Sequence, residues 1–321
     1  MKKKIVPLLL LVFIVSSIAF FACGEKKLKK QQKIYVAWSN DQNSYSYIST
    51  LKTIEAMGAE AIVLDQVLSV DLSYDQNKKL INATDDKGIL TKEVAKLVKV
   101  NTWQNSNVNE VMKDVSCIVF PGGVDICPTL YYEEENWHGI EEDTNYSAER
   151  DVSDYLLLSY CLEKDIPMFC ICRGMQMLSI VSGAEMIQDI SEWNEEKDVD
   201  TFILHRDPEK KKFMAHDVEV VSKESLLYQI VGDDKIEKVP SWHHQAVKSV
   251  DNTRLTVTAY SGEENRIIES VERRDKTFCI GVQFHPEVAV RKEIDKELDA
   301  KEFMEKDIAL AFFRALVDIK R

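Results

Sequence analysis

Two segments of the chain carry a thiol, an imidazole and a carboxylate that together could perform acyl transfer. Cys172 follows the apolar residues 169–171 and precedes Gly174 and an apolar helical pattern. This order predicts a sharp strand-to-helix turn that lifts the thiol out of a sheet, with Gly174 leaving the space that such a turn needs. The turn lies at a helix N-terminus, which favours the thiolate, the nucleophilic form of cysteine. The sequence therefore predicts a nucleophile elbow at Cys172.

The partner groups lie in residues 281–287, which read Gly-Val-Gln-Phe-His-Pro-Glu. His285 and Glu287 are two residues apart, and Pro286 indicates an extended segment in which side chains at this spacing point to the same side. We expect Glu287 to hold the imidazole in one tautomer while the other ring nitrogen faces the thiol. The backbone N–H of Arg173 would then hydrogen-bond a developing oxyanion.

The elements that must position these groups alternate between strands and helices. Residues 33–38, 61–64, 117–120 and 166–171 read as strands, residues 46–57 and 148–163 as helices. Strands that are apolar on both faces and alternate with helices predict a mostly parallel α/β sheet covered on both sides.

The remaining chain predicts a more mixed arrangement. Residues 217–221, 255–259, 267–272 and 278–284 alternate in polarity, which indicates some antiparallel pairing, and residues 300–320 read as a closing amphipathic helix. Residues 69–110 are polar and poorly patterned, and we interpret them as an insertion. One domain, residues 33–321, is the expected organisation.

Four motifs occur in a specific order: Phe-Pro-Gly-Gly-Val-Asp at 120–125, Cys-Arg-Gly-Met-Gln at 172–176, Ser-Trp-His-His-Gln at 241–245, and the segment 281–287. Together they resemble the class I glutamine amidotransferase superfamily. Within it, the chain is similar to the γ-glutamyl hydrolase branch, of the peptidase C26 type, typified by γ-glutamyl-γ-aminobutyrate hydrolase. The resemblance implies a flavodoxin-like three-layer α/β sandwich.

The resemblance also implies roles for individual residues. Cys172 would be the nucleophile, His285 the general acid and base, and Glu287 the carboxylate that orients it. Gly123 would supply the second oxyanion N–H beside that of Arg173.

Further positions would bind substrate or support the site. Gly122 would allow close backbone approach, Gln176 would line the glutamyl pocket, and three residues would lie on the substrate side, namely His243, His244 and Gln245. Arg150 and Asp151 match a pair that precedes the elbow in the family, and Asp125 is expected to cap its own loop.

The expected reaction is hydrolysis of a γ-glutamyl amide bond through a thioester, releasing glutamate and an amine without a cofactor. Two alternatives stay open. One is a glutamine amidotransferase, which the absence of a following synthetase segment disfavours. The other is a surface lipoprotein that binds γ-glutamyl or peptide ligands without turnover, which the complete set of Cys172, His285 and Glu287 disfavours.

The other histidines and cysteines predict no further site. His205 and His216 have no carboxylate or cysteine neighbour at ligand spacing, so we expect structural roles and no metal site. Most remaining cysteines lie in apolar runs and are expected to be buried hydrophobic residues, namely Cys117, Cys161, Cys170 and Cys279.

The N-terminus predicts export. Lys2, Lys3 and Lys4 precede an apolar run at 5–22, a cysteine follows at position 23, and residues 24–32 form a polar linker. This pattern is typical of a bacterial lipoprotein signal peptide at residues 1–23, with Cys23 as the lipidated residue. Plain cleaved secretion and an uncleaved membrane anchor are the alternatives. The expected location is the periplasmic or cell-surface side of a bacterial membrane.

The acidic composition of the chain limits the kinds of partner that it can bind. The chain has 321 residues, 41 Lys and Arg against 54 Asp and Glu, and a formal net charge of −13. Such an acidic protein lacks the positive face that nucleic-acid binding requires, and its contact with a membrane would depend on the anchor. A small γ-glutamyl compound is the expected partner; the sequence specifies neither the amine nor an oligomeric state.

Overall fold

The computed structural model describes residues 32–101, 103–131, 133, 145–196, 203–262 and 266–319. The predicted signal peptide, the lipidation site Cys23 and all but the last residue of the predicted linker 24–32 lie outside these residues. None of the helices in the described part of the chain is long and apolar enough to cross a lipid bilayer.

Eleven strands within the described residues form one mixed sheet. Their bounds are β1 Lys33–Val36, β2 Glu60–Val63, β3 Ile118–Phe120, β4 Met168–Ile171, β5 Glu185–Ile187, β6 Met214–Val220, β7 Lys235–Ser241, β8 Ala246–Ser249, β9 Thr256–Ser261, β10 Ile267–Glu272 and β11 Cys279–Val282. The helices are α1 Tyr45–Ala56, α2 Lys92–Asn101, α3 Val108–Val111, α4 Ala148–Lys164, α5 Arg173–Val181, α6 Ile190–Glu196, α7 Leu226–Val231, α8 Pro286–Asp295 and α9 Lys306–Val317.

The strand order is β2-β1-β3-β4-β11-β10-β9-β6-β7, with β8 joined to β10 and β5 to β8. Neighbours from β2 to β11 are parallel, whereas every pair from β11 to β7, and both pairs of β8, are antiparallel. The expectation of a mostly parallel sheet therefore holds only for the first half. The physical reason is burial: β4 and β11 are buried on both faces, while β6 alternates buried and exposed residues.

Helices cover both faces of the sheet, which gives the expected flavodoxin-like three-layer sandwich. One core lies beneath α2, α4 and α5 and includes Leu156 and Met175. The other lies beneath α1, α8 and α9 and includes Tyr47 and Phe312. The parallel half of the sheet is thus held between two apolar layers, and its carboxyl ends open towards the candidate site.

The stretch 69–110 has more structure than the sequence indicated. Two successive turns are organised in the same way by Asp75 and Asp85, each of which accepts N–H groups from the residues two and four positions later. Helices α2 and α3 follow, and the buried side chains of Leu90 and Val98 join the core beneath α4. Its polar residues form turns, and part of its apolar residues are buried, whereas others such as Val70 and Val100 are exposed.

The closing helix is shorter than predicted. Residues 300–302 form a 3₁₀ turn, and α9 begins only at Lys306. Between them, the backbone N–H of Met304 donates to the Lys238 carbonyl at 2.8 Å, so this segment is bound to β7 and cannot continue a helix. Phe303 and Met304 are buried there.

Candidate active site

Cys172 lies at a sharp turn between β4 and α5. Its backbone has φ 49° and ψ −106°, a conformation that is strained for a residue with a side chain and is found mainly where function requires it. The Cys172 N–H still donates to the Val282 carbonyl at 2.7 Å, so the turn starts from the sheet itself. The helix that begins at Arg173 then points its N-terminus at the thiol. The predicted elbow is present in this geometry.

Small residues make this turn sterically feasible. A Cβ atom on Gly174 would lie 2.3 Å from the carbonyl oxygen of Phe120, and one on Gly281 would lie 2.9 Å from Met175. Because real Cβ atoms do not approach other heavy atoms that closely, α5 packs against β3 and β11 at this distance only with glycine at both positions.

His285 and Glu287 lie on the thiol side of the sheet, but the backbone conformation that places them there differs from the expected one. The sequence indicated an extended segment, but Pro286 is the first residue of α8, with His285 as its N-cap. Proline favours the first helical position because it has no N–H to leave unpaired. The two side chains still meet: His285 Nδ1 lies 2.7 Å from Glu287 Oε1.

Ser46 joins this pair, and sequence reasoning missed it. Its hydroxyl donates to Glu287 Oε1 at 2.7 Å and lies 3.3 Å from His285 Nδ1. Ser46 is near the start of α1, about 240 residues earlier in the chain, and no motif distinguishes this serine from its neighbours.

The electrostatics favour a protonated imidazole at His285. Burial alone would lower the pKa of His285, but the charges of Cys172 and Glu287 outweigh it and raise that pKa to about 10. Among the described residues, buried His285 Nε2 has no hydrogen-bond partner. The Cys172 thiol is thus close enough to raise the pKa of His285, and Nε2 is the ring nitrogen left for proton transfer.

Gly122 and Gly123, which follow β3, lie next to the catalytic candidates and the side chains around them. A Cβ on Gly122 would lie 2.7 Å from His285 Cε1 and 3.0 Å from Ser46 Oγ, so glycine is needed there for the imidazole to approach. A Cβ on Gly123 would lie 2.0 Å from Arg150 Nη1. Gly123 lines the cavity in front of Cys172, whereas Gly122 supports His285.

A buried network of charges fixes this loop and the elbow relative to each other. The Arg173 side chain, fully buried, forms ion pairs with Asp151 and Asp154 of α4. Arg150 donates to the Pro121 carbonyl at 2.8 Å and lies 3.3 Å from Asp154. Arg150 and Asp151, the pair that the resemblance singled out, thus belong to one network in which Asp151 binds Arg173 and each arginine contacts Asp154.

A chain of amide side chains runs behind the thiol. Gln176 Nε2 donates to the Gln245 carbonyl at 3.1 Å and to Gln283 Oε1 at 3.3 Å. Gln283 Nε2 in turn lies 3.4 Å from Cys172 Sγ. Gln176 and Gln245 line the cavity as predicted, and Gln283, which lies within the segment 281–287, was overlooked.

His244 is held between two carboxylates. Its Nδ1 lies 3.1 Å from Asp189 and its Nε2 lies 3.1 Å from Asp125. Burial lowers the pKa of His244, but the hydrogen bonds that its ring donates to both carboxylates outweigh burial and raise that pKa to about 9. The side chain of Asp125, which was expected to cap its own loop, thus binds a histidine.

The ring of His243 faces a different carboxylate from the two that bind His244. Its ring borders the cavity, but Nδ1 contacts the Gln245 carbonyl at 2.9 Å and Nε2 faces Glu269 at 3.8 Å. His205 and His216 face the same carboxylate. Sequence spacing did not reveal this carboxylate for His205 and His216, because Glu269 comes from a strand more than 50 residues away in sequence.

The remaining thiols differ from Cys172 in their surroundings. All six cysteines after position 23 are buried, and within the described part of the chain none of them is joined in a disulfide. Burial raises the pKa of Cys161 and Cys170 well above the usual range, and that of Cys279 to about 12. These three belong to the core, as predicted.

A cavity of about 750 Å³ opens in front of the thiol, which is the size range of small-molecule sites. Its wall includes Cys172, Gln176 and His285 on one side and basic residues such as Lys211 and Arg206 on another. The arrangement can bind a small carbonyl compound against a cysteine with a histidine available to move protons.

The family model that describes peptidase C26 matches residues 62–287. The chain belongs to the peptidase C26 family. Membership makes it an enzyme of the hydrolase or glutamine amidotransferase type.

Individual relatives agree with this assignment. The chain is 31% identical over 188 residues to γ-glutamyl-γ-aminobutyrate hydrolase of Escherichia coli O157:H7, covering 57% of this chain and 68% of the relative. It is 34% identical over 176 residues to protein NtpR of Enterococcus hirae, covering 53% of this chain and 66% of that protein. In structure it resembles the Trypanosoma brucei CTPS glutaminase domain with bound acivicin, with a TM-score of 0.50, 16% identity, and 91% and 96% of the two chains covered. This last likeness supports the fold.

Proposed function

We propose that this peptidase C26 protein hydrolyses the γ-glutamyl amide bond of a small γ-glutamyl compound, releasing glutamate and an amine. The observation that carries the proposal is the convergence of Cys172, His285 and Glu287: a thiol at a strained elbow, and an imidazole whose Nδ1 is held at 2.7 Å by a carboxylate. This is the arrangement of a nucleophile, its base and the group that orients the base.

In the first half of the reaction, the Cys172 thiolate attacks the γ-carbonyl carbon. A carbon–sulfur bond forms, and the carbonyl electron pair moves to oxygen. The N–H groups of Gly123 and Arg173 stabilise that oxyanion, because the first lines the cavity and the second opens helix α5 directly after the thiol. The carbon–nitrogen bond then breaks, and His285 Nε2 gives its proton to the departing amine.

In the second half, water attacks the thioester carbon and transfers a proton to His285. The carbon–sulfur bond breaks, which releases glutamate and restores the thiolate. Glu287 stabilises the imidazolium in both halves. The γ-glutamyl group would lie against Gln176 and Gln245, which line the cavity beside Cys172. Every proton and electron pair is thus supplied by these side chains, the substrate and water.

The direct test is glutamate release by the purified full chain from a panel of γ-glutamyl amides, γ-glutamyl peptides and free glutamine. Cys172→Ala should abolish release while its circular dichroism spectrum stays that of wild type. Cys170→Ala is the matched control, since this thiol is buried in the core two residues away, and it should keep activity. Saturable binding of panel compounds with no release by folded wild-type protein would instead indicate a binding protein.

We also propose that the chain is exported and lipid-anchored at Cys23, because a basic start, an apolar run and a cysteine follow one another at its N-terminus. Incorporation of labelled fatty acid into the protein in a bacterial host, lost in Cys23→Ser, would support this proposal. Recovery of both proteins in the soluble cytosolic fraction would overturn it.

A further inference from the structure

Four buried side chains from separate segments converge behind the wall of the active-site cavity. They are His205, which precedes β6, His216 of β6, His243, which follows β7, and Glu269 of β10. One nitrogen or oxygen atom from each lies within 4.8 Å of all the others. Each side chain is at least nine-tenths buried.

The three imidazoles surround one carboxylate oxygen. Glu269 Oε1 lies 3.3 Å from His205 Nδ1, 3.6 Å from His216 Nε2 and 3.8 Å from His243 Nε2. Ser261 donates to the same oxygen at 3.0 Å. The rings also pack against each other, with the centroid of His205 4.7 Å from those of both other histidines.

Backbone carbonyls fix the tautomers of two of these histidines. His216 Nδ1 lies 3.2 Å from the Asp217 carbonyl, and His243 Nδ1 lies 2.9 Å from the Gln245 carbonyl. A carbonyl oxygen only accepts, so each Nδ1 carries a proton and donates it. In a neutral ring, Nε2 then has a lone pair, and in both residues this lone pair faces the carboxylate. Histidines that bind metals are oriented in the same way by their second nitrogen.

The three imidazole nitrogens that face Glu269 have no hydrogen-bond partner that explains this arrangement. Among the described residues, His205 Nδ1, His216 Nε2 and His243 Nε2 are all buried without one. Buried polar atoms are normally paired, and three orphaned nitrogens in one place need a common cause. One proton on one ring would satisfy a single imidazole and leave the others unpaired, whereas a cation bound between them and Glu269 Oε1 would satisfy all three.

We propose that His205, His216, His243 and Glu269 bind one divalent transition metal ion, for which Zn²⁺ is the best match. Three imidazoles and a carboxylate suit zinc, whereas Mg²⁺ and Ca²⁺ prefer oxygen ligands. Ligands at roughly 2.0–2.1 Å from a tetrahedral ion are separated by about 3.3 Å, so the distances around Glu269 need only a small contraction. Four protein ligands leave no open position, which makes the site structural.

The ion would hold the cavity wall in place. It would join β6 and β10 to the segments that carry His205 and His243, next to Arg206 and Gln245 of the cavity. The Glu269 carbonyl also accepts the N–H of Gln283, whose side chain contacts the Cys172 thiol. The metal site therefore supports the geometry of the reaction centre without touching it, and it does not depend on the proposed hydrolase function.

The first test is metal content and coordination. The full chain, produced in zinc-supplemented medium and purified without chelator, should contain about one zinc per chain by mass spectrometry. X-ray absorption at the zinc edge should show imidazole and oxygen ligands near 2.0–2.1 Å and no sulfur near 2.3 Å. Folded protein that neither contains zinc nor takes it up saturably would overturn the proposal, as would sulfur ligands, since the buried cysteines are the competing donors.

The second test uses matched variants. Glu269→Gln and His216→Gln should lower zinc affinity by at least the ~10–100-fold that changes around a metal site cause. Glu272→Gln is the control, because Glu272 is equally buried on β10 but binds Arg274 instead, and it should keep wild-type affinity. Equal zinc affinity in Glu269→Gln and wild type would overturn the assignment. If the variants do not fold, X-ray absorption at the zinc edge of the wild-type protein still shows whether imidazole and oxygen ligands bind the metal.

Discussion

The Ser46 hydroxyl donates a 2.7 Å hydrogen bond to Glu287 Oε1, the same oxygen that holds His285 Nδ1 at 2.7 Å. Ser46 belongs to α1 and Glu287 to α8, and these two helices pack side by side on the same face of the sheet. A carboxylate oxygen that accepts two hydrogen bonds has little freedom to rotate. The orientation of the imidazole thus depends on a helix from the other end of the chain.

Ser46→Ala should therefore lower kcat by about 10-fold with little change in KM, because a hydrogen bond to a charged group is worth roughly 1.5–3 kcal/mol and orients a residue that acts in the transition state. Steady-state glutamate release measures both constants. Ser49→Ala is the matched control: this buried serine lies one turn further along α1 and donates only to the Tyr45 carbonyl. A kcat equal to wild type in Ser46→Ala would show that Glu287 needs no support.

Gly122→Ala should reduce kcat by about 100-fold, since its Cβ would lie 2.7 Å from His285 Cε1 and must displace the ring, and a misplacement of ~1 Å can have that effect. The fold should persist, because the nearest atoms are movable side chains. Gly88→Asn serves as the control, since a Cβ there meets nothing within 4 Å and asparagine tolerates its positive φ. Unchanged activity in Gly122→Ala would place the working position of His285 elsewhere.

The contacts that the sequence could predict are those carried by local motifs. Cys172 follows the parallel strand β4, and the segment 281–287 begins within β11, which pairs with β4 in parallel. The sequence indicated antiparallel pairing for residues 278–284, so the meeting of His285 with Cys172 was predicted from the two motifs and not from strand order. The family resemblance, and not strand order, assigned Gln176 and Gln245 to the substrate side, and both line the cavity in front of Cys172.

The contacts that escaped prediction depend on pairing between distant segments. Glu269 lies in a strand of alternating polarity, where a glutamate usually faces solvent. In the structure it is buried against three histidines, because antiparallel pairing brings its strand close to the segments that carry them. Ser46 resembles every other polar residue in its helix. Asp189 and Asp125 reach His244 from two loops whose paths no local pattern defines.

His244 should make the stability of the protein depend on pH. Its pKa is raised to about 9 by Asp125 and Asp189, from a usual value near 6.5. A raised pKa in the folded state contributes stability fully below about pH 6.5, and this contribution is lost as the pH rises through about 9. The shift corresponds to roughly 3 kcal/mol at most. The difference in unfolding free energy between wild type and His244→Gln should therefore shrink between pH 6 and pH 9.5, as measured in urea. A difference that is constant across this range would contradict the assignment.

Arg173→Met should destabilise the fold by about 3–5 kcal/mol, because it leaves Asp151 and Asp154 buried without their strongest partner. Arg254→Met is the control: Arg254 is exposed, lies 3.6 Å from Asp275, and its loss should cost less than about 1 kcal/mol. Burial already raises the pKa of Asp151 above its usual value, against the pull of Arg173. Without the arginine, that pKa rises further and the folded state takes up a proton, so the destabilisation should be larger at pH 8 than at pH 5. Urea unfolding at both pH values measures this. An equal loss at both would mean that Asp151 stays ionised and that Arg150 has replaced the missing charge.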